Sequence, residues 1–142
     1  MACEIIRMKS VHSTAGVGYS HVAKVGKTVY IAGQVPLDPD GNLVGKGDIE
    51  AQTHRVYANL QAILEELGGS LDDIVKLTTY LTDRSQLEGF RRVRNCFFND
   101  PFPPNTLLFV SGLAQPDYLV EIESIAVLTN PRTSPVDIGP AF

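Results

Sequence analysis

Residues 28–53 read TVYIAGQVPLDPDGNLVGKGDIEAQT. Val29, Tyr30 and Ile31 are β-branched or aromatic and predict a strand, and Gly33 at its end admits backbone angles that other residues avoid. Pro36, Pro39 and Asp40-Gly41 are turn formers, so a polar loop follows. Gly47-Asp48 then opens a helix, with Asp48 as its N-cap and Glu50 in the first turn, against the positive end of the helix dipole.

Working outward, Ser20 to Val25 reads as a second strand, joined to the first through Gly26-Lys27, a two-residue Gly-X connection that fits a type II′ hairpin. Downstream, Val56, Leu60, Ile63, Leu64 and Leu67 recur at three- and four-residue steps and stop at Gly68-Gly69, an amphipathic helix with a C-terminal brake. Ile74 to Thr82 alternates as a strand, with Val75, Leu77, Thr79 and Leu81 on one side and Lys76, Thr78 and Tyr80 on the other. Asp83 caps a second helix striped by Leu87, Phe90, Val93 and Phe97, which Asn99-Asp100-Pro101 ends. Thr106 to Ser111 and Leu119 to Leu128 complete the strands, and residues 130–142 read as an extended, Pro-containing tail after a single domain over 1–129.

The predicted order, β-β-α-β-α-β-β, implies one α+β domain with two helices on one face of a mixed sheet. Leu107 and Phe109 oppose Leu108 and Val110 across the strand, as Val120 and Ile122 oppose Ile125 and Val127. An uncovered apolar sheet face is disfavoured on a soluble monomer, so a homo-oligomer sealed through that face is expected.

The chain has 142 residues, 44% of them hydrophobic, and a net charge of −4, which suits one folded domain and supplies no global field for nucleic acid or an anionic membrane. No apolar run is long enough to span a bilayer and no secretory signal is recognisable, so a cytoplasmic protein is expected. Cys3 and Cys96 lack ligand spacing and read as free thiols, Cys96 as a buried packing residue. His12, His21 and His54 are scattered, and neither HExxH nor a paired Cys set is present, so no metal is expected. Gly16-Val17-Gly18 lacks the third glycine and preceding strand of a dinucleotide fingerprint, and GxxxxGK[ST] is absent, so no nucleotide cofactor is expected.

Five motifs, Gly18-Tyr19-Ser20, VYIAGQVPLDP, GDIEAQT, SLDDIVKLTTYLTD and VEIESIAV, in this order between Gly18 and Val127, resemble the Rid family, also called YjgF or RidA-like. The resemblance implies a chorismate-mutase-like fold assembled as a homotrimer with clefts between subunits. In the best-known members those clefts hydrolyse 2-enamine and 2-imine acids to 2-keto acids and ammonia. It also implies site roles for Tyr19, for Gly33 at a cleft-facing strand end, and for Glu121 as the carboxylate that positions water. Two positions depart from the family pattern. Ala32 stands where many members have Ser, and Asn105, in PPNTLLFV, stands where deaminating members carry an Arg. A guanidinium grips a carboxylate with two parallel hydrogen bonds and a full charge, whereas an amide offers neither the charge nor the fork.

Bland alternatives accompany each candidate. Glu121 and Glu123 share a strand face and can both be outward edge residues, Tyr19 can be a packed surface tyrosine, and Asn105 can be a turn residue after Pro103-Pro104. Thr106, Ser20 and Gln34 are secondary polar candidates. Arg91, Arg92 and Arg94 sit on a helix with Glu88 and read as a solvated face, which leaves RNA cleavage without its basic groove. The expectation is a trimer binding a small molecule in intersubunit clefts, with Glu121 catalytic and Tyr19, Ala32, Gly33, Asn105 and Thr106 contacting the substrate. Such a cleft would hydrolyse an imine, enamine or related C–N bond without turning over 2-imino acids efficiently. A non-catalytic ligand-binding or stress-interaction protein is the rival, an endoribonuclease or translation inhibitor a more distant one. Whether Arg84 or Arg132 refills the missing charge is left open.

Overall fold

In the computed structural model, which describes residues 2–129, β1 (Cys3–Ile6), β2 (Val22–Val25), β3 (Thr28–Gln34), β4 (Ile74–Leu81), β5 (Asn105–Phe109) and β6 (Val120–Val127) form one sheet. Its order is β1-β2-β3-β6-β4-β5, antiparallel throughout except for β4 and β5, which run parallel. The helices α1 (Ile49–Glu66) and α2 (Leu87–Phe97) pack on each other, and α1 lies against β3 and β6. Val56, Tyr57, Leu60, Ile63 and Leu64 of α1 and Phe90 and Val93 of α2 share one core with Val29, Ile31, Leu77, Leu81, Val120 and Ile122 of the sheet. The α+β architecture with two helices and a mixed sheet is as expected, and residues 130–142, read as a tail, lie outside the described residues.

Local signals account for the element ends. Gly26 has φ +62° while Lys27 stays negative, the pattern of a type II′ turn. The Asp48 carboxylate accepts from Ala51 N at 3.1 Å and caps α1. At the other end Gly68 takes φ +85°, Gly68 N donates to Glu65 O at 3.0 Å and Gly69 N to Leu64 O at 2.8 Å, a Schellman motif. Asp83 and Gln86 form a capping box around a 3-10 turn, Arg84–Gln86, that leads into α2.

Four expectations need correction. β1 was missed because a four-residue edge strand that exposes most of its side chains carries no alternation; its pairing with β2 is backbone chemistry. A register shift between Ile74 and Lys76 puts Ile74 in the core and leaves Val75 exposed, reversing the first step of the alternation. Cys96 is exposed rather than buried, because Phe97 takes the core side of that turn. The helix-free sheet face is mixed: Tyr30 and Leu108 are exposed there, but Lys76 Nζ donates to Thr106 Oγ1 at 2.6 Å and Tyr80 OH to Glu123 Oε1 at 2.7 Å. No helix among the described residues is long and apolar enough to cross a membrane.

Candidate functional site

A register shift separates Ile31 from Gln34 where β3 pairs with β6, and this irregularity brings Gly33 against Glu121. Gly33 does not use the left-handed backbone freedom expected of it, since its φ is not positive. What it supplies is room: a Cβ there would stand 2.8 Å from Glu121 Cδ and 2.9 Å from Cγ, on top of the carboxylate. The Glu121 side chain therefore lies across bare backbone. It lines a cavity of about 590 Å³ together with Tyr19, Ala32, Gly33, Asp40, Gln115 and Tyr118, and with His12 and apolar Val17, Val35 and Leu37 in the wall.

Burial, and then the like charge of Glu123, raise the Glu121 carboxyl above its ordinary pKa. The Tyr19 and Tyr118 phenols are also raised, by burial first and by Glu121 second, so both remain neutral donors beside the carboxylate. Two histidines judged scattered meet at this wall, with ring centroids 4.7 Å apart, edge to face. His21 Nε2 donates to His12 O at 2.8 Å, and His21 Nδ1 accepts from Gln34 Nε2 at 3.0 Å, a tautomer assigned from the network because the same Gln34 amide donates to Ala32 O. The Tyr19 and His21 rings meet edge to face with centroids 6.0 Å apart. His21 thus ties the 12–19 segment to the β3 bulge. Burial and His21 lower the pKa of His12, which is 6% exposed and whose ring nitrogens have no partner among the described residues. No group of three or more potential metal ligands exists among the described residues.

Two buried amides of α1 fasten the loops of the cleft. Gln52 Nε2 donates to Asp117 O at 2.8 Å and Gln52 Oε1 accepts from Leu119 N at 2.8 Å, holding Tyr118 from both sides. Asn59 Nδ2 donates to Val35 O at 3.1 Å and Leu37 O at 3.0 Å, holding the loop that leads to Asp40. Sequence reasoning overlooked Tyr118, although a tyrosine three residues before Glu121, at a strand entrance, was a signal; the role of Gln52 in GDIEAQT depends on the distant loop it bonds.

Within one chain, Tyr19, Ala32, Gly33 and Glu121 come together, whereas Asn105 and Thr106 lie elsewhere, at the β5 edge. Asn105 Oδ1 accepts from Thr79 Oγ1 at 3.0 Å, and the residue lines a separate hollow with Leu77, Arg94, Phe98, Phe102 and Pro103. Thr106 faces the opposite side, toward Lys76. Arg84, a candidate substitute cation, is stacked 4.9 Å over the Phe109 ring, and Arg132 lies outside the described residues. A larger hollow of about 770 Å³ runs along Ile5 to Met8 and Ser13 to His21, but Glu121 does not line it.

Comparison with known proteins shows the family. The family described as Endoribonuclease L-PSP matches residues 10–128. A RutC family protein of Pyrococcus abyssi is 41% identical over 126 residues, covering 89% of this chain and 98% of that protein. A 2-iminobutanoate/2-iminopropanoate deaminase of Dermatophagoides farinae is 31% identical over 110 residues, covering 78% and 85%. The crystal structure of RidA from the Antarctic bacterium Psychrobacter sp. superposes with a TM-score of 0.80 at 36% identity, covering 88% of this chain and 99% of that one. With its matched span, its similarity to these relatives and its two helices on a six-stranded mixed sheet, the chain belongs to the Rid (YjgF/RidA-like) family.

Proposed function

We propose that the protein hydrolyses a C=N bond of an imine, or of an enamine through its imine tautomer, in a cleft completed by a second copy of the chain within a homotrimer. The observation that carries this reading is the Glu121 carboxyl laid across bare Gly33 backbone, with its pKa raised, in a cavity with two neutral phenols. A carboxylate of that kind can take a proton from water as the oxygen attacks the imine carbon, and return it to the nitrogen. The C=N bond becomes C–N, the nitrogen leaves as ammonia, and the carbinol oxygen becomes the carbonyl. Tyr19 and Tyr118 orient the nitrogen-bearing carbon, and backbone groups beside Gly33 contribute donors. Asn105 and Thr106 belong to this reading only as residues of the neighbouring chain, because their own chain keeps them at the β5 edge.

The absence of a guanidinium at Asn105 supports weak turnover of 2-imino acids, and the deaminase name of a relative supports the reaction class. Ribonuclease action, which the family description names, is disfavoured by the cleft lining, whose only formally charged side chains among the described residues are Asp40 and Glu121. Ammonia release from imines generated in situ by amine and amino-acid oxidases tests the reading. Glu121→Gln should lower the catalysed rate about a hundredfold or more, and an unchanged rate would remove Glu121 from the chemistry and leave a ligand-binding protein. Sedimentation at micromolar concentration should give about three chains per particle; a monomer independent of concentration would leave the cleft without its second half.

A further inference from the structure

Among the described residues, the charged side chains around the cavity are carboxyl groups alone, Asp40 at the tip of the 37–43 loop and Glu121 on β6. The remaining polar lining is Ser13, Tyr19, Gln115, Tyr118 and His12, and none of these brings a positive charge at neutral pH, His12 being held neutral by burial and by His21. Lys46, which meets Asp117 of the Tyr118 loop at 3.9 Å, does not line the cavity. Two tyrosines, with Val17, Val35, Leu37 and Pro39, make the rest of the wall aromatic and apolar. Carboxylates focused by a partly apolar cavity favour a cation and repel an anion, and aromatic faces add to the attraction for a cation. In the separate hollow, Asn105 is neutral, and Arg94 is hydrogen-bonded to the Asn95 side chain and stacked 5.2 Å over Phe102.

We propose that this cleft selects a cationic ligand with an apolar body and no carboxylate, its substrate being the protonated imine of an amine rather than of an amino acid. The inference rests on the cleft reading above and names its substrate class. An iminium carbon is more electrophilic than that of the neutral imine, and nearby carboxylates favour the protonated form. In balance, one iminium ion and one water give one carbonyl compound and one ammonium ion, with the single positive charge conserved. Water adds to carbon as Glu121 takes one of its protons and passes it to nitrogen; the C–N bond then breaks with its electron pair on nitrogen, and the hydroxyl proton leaves for that ammonia. A reaction that oxidises primary amines to imines would supply the substrate.

Benzamidinium, benzamide and benzoate share one planar shape and carry charges of +1, 0 and −1. Titrating each into the protein with ring-labelled tyrosine should shift the Tyr19 and Tyr118 signals, with benzamidinium binding at least about tenfold more tightly than benzoate. Asp40→Asn should erode that preference while leaving benzamide affinity within about twofold. Benzoate binding as tightly as benzamidinium would overturn the inference and show that a cation of the neighbouring chain or of the C-terminal segment enters the cleft. An intact preference in Asp40→Asn combined with Glu121→Gln would overturn the assignment of these carboxyls. Probes that shift signals elsewhere but neither Tyr19 nor Tyr118, or that bind nowhere, would count against the cleft reading itself, and this inference would fall with it.

Discussion

The Gly33–Glu121 wall and the Asn105 hollow differ in how a single chain builds them. At the wall, a strand irregularity, a glycine, two tyrosines and a carboxylate converge from β3, β6, the loop that enters β6 and the 12–19 segment, and two buried helix amides hold the flanking loops. The hollow is an edge feature whose walls are Leu77, Arg94, Phe98, Phe102 and Pro103, with an exposed amide at its mouth. One is finished within the chain, and the other has meaning for the same chemistry only if an assembly brings it to a neighbour's wall. On the proposed trimeric cleft, the difference means that substitution at the hollow would change which ligand is accepted while leaving the geometry of the wall intact.

The sharpest way to break the comparison is Asn105→Arg. If the hollow completes a neighbour's cleft, turnover of 2-iminopropionate should rise by about tenfold to a hundredfold, since a charge-assisted pair contributes on the order of 1.5–3 kcal/mol. Keto-acid release under in situ generation measures it, with sedimentation as the check on assembly. Adding Glu121→Gln to Asn105→Arg should cancel the gain. A double variant as active as the single one would show that the hollow works without the wall, which removes Glu121 from water positioning. Ala32 limits the size of the rescue, because it brings no hydroxyl to the cavity.

Gln52→Leu probes the opposite side of the comparison, the support behind the wall. Its amide joins Asp117 O and Leu119 N across α1 and the entrance of β6, so the leucine leaves a part-buried carbonyl and a part-buried N–H without their side-chain partner. The expected loss is about 1–3 kcal/mol of stability in denaturant melts, with tyrosine signals at Tyr118 broadened more than those at Tyr80. Equal broadening at both would mean that Gln52 supports the fold in general and not this loop.

Much of this was legible in the sequence for a local reason. Capping, hairpin and Schellman signals act within a few residues, so Asp48, Gly26 and Gly68-Gly69 declare themselves in the chain. β1 was illegible because an edge strand leaves half its backbone and most of its side chains in water and has no pattern to keep. Val75 misled because alternation assumes an unbroken register, and one extra residue reverses every side chain before it. At the site, Glu121 and Gly33 could be marked singly, but the contact between them depends on the pairing of β3 with β6 and not on spacing. His12 and His21 looked unrelated for the same reason, since a loop and a strand bring them together. Whether Asn105 faces the wall belongs to an interface, and no single chain encodes that in its own contacts.

The smallest expected effect concerns what the wall costs the fold. The Glu121 carboxyl titrates above its ordinary value in the folded chain because burial and Glu123 disfavour its charge, so the folded state binds that proton more tightly than the unfolded state does. Stability from this group is therefore fully present below the unfolded value of about 4.3 and is lost as pH rises through the raised folded value. Glu121→Gln removes the ionisation and keeps the shape. It should stabilise the protein at pH 7 by about 1 kcal/mol or less, after discounting for the half-exposed position, and should do nothing at pH 4. Thermal melts of the two proteins at both pH values measure it. His12 works in the opposite direction: burial and His21 lower its pKa, so the stability it confers is present above the unfolded value of about 6.5 and is lost on acidification, and a His12→Leu chain should melt with a flatter profile between pH 7 and 5. A Glu121→Gln chain no more stable than the parent at pH 7 would mean that the carboxylate is already compensated in the assembled cleft, by a partner group the isolated chain does not supply, and the contrast between a self-sufficient wall and a dependent hollow would have to be withdrawn.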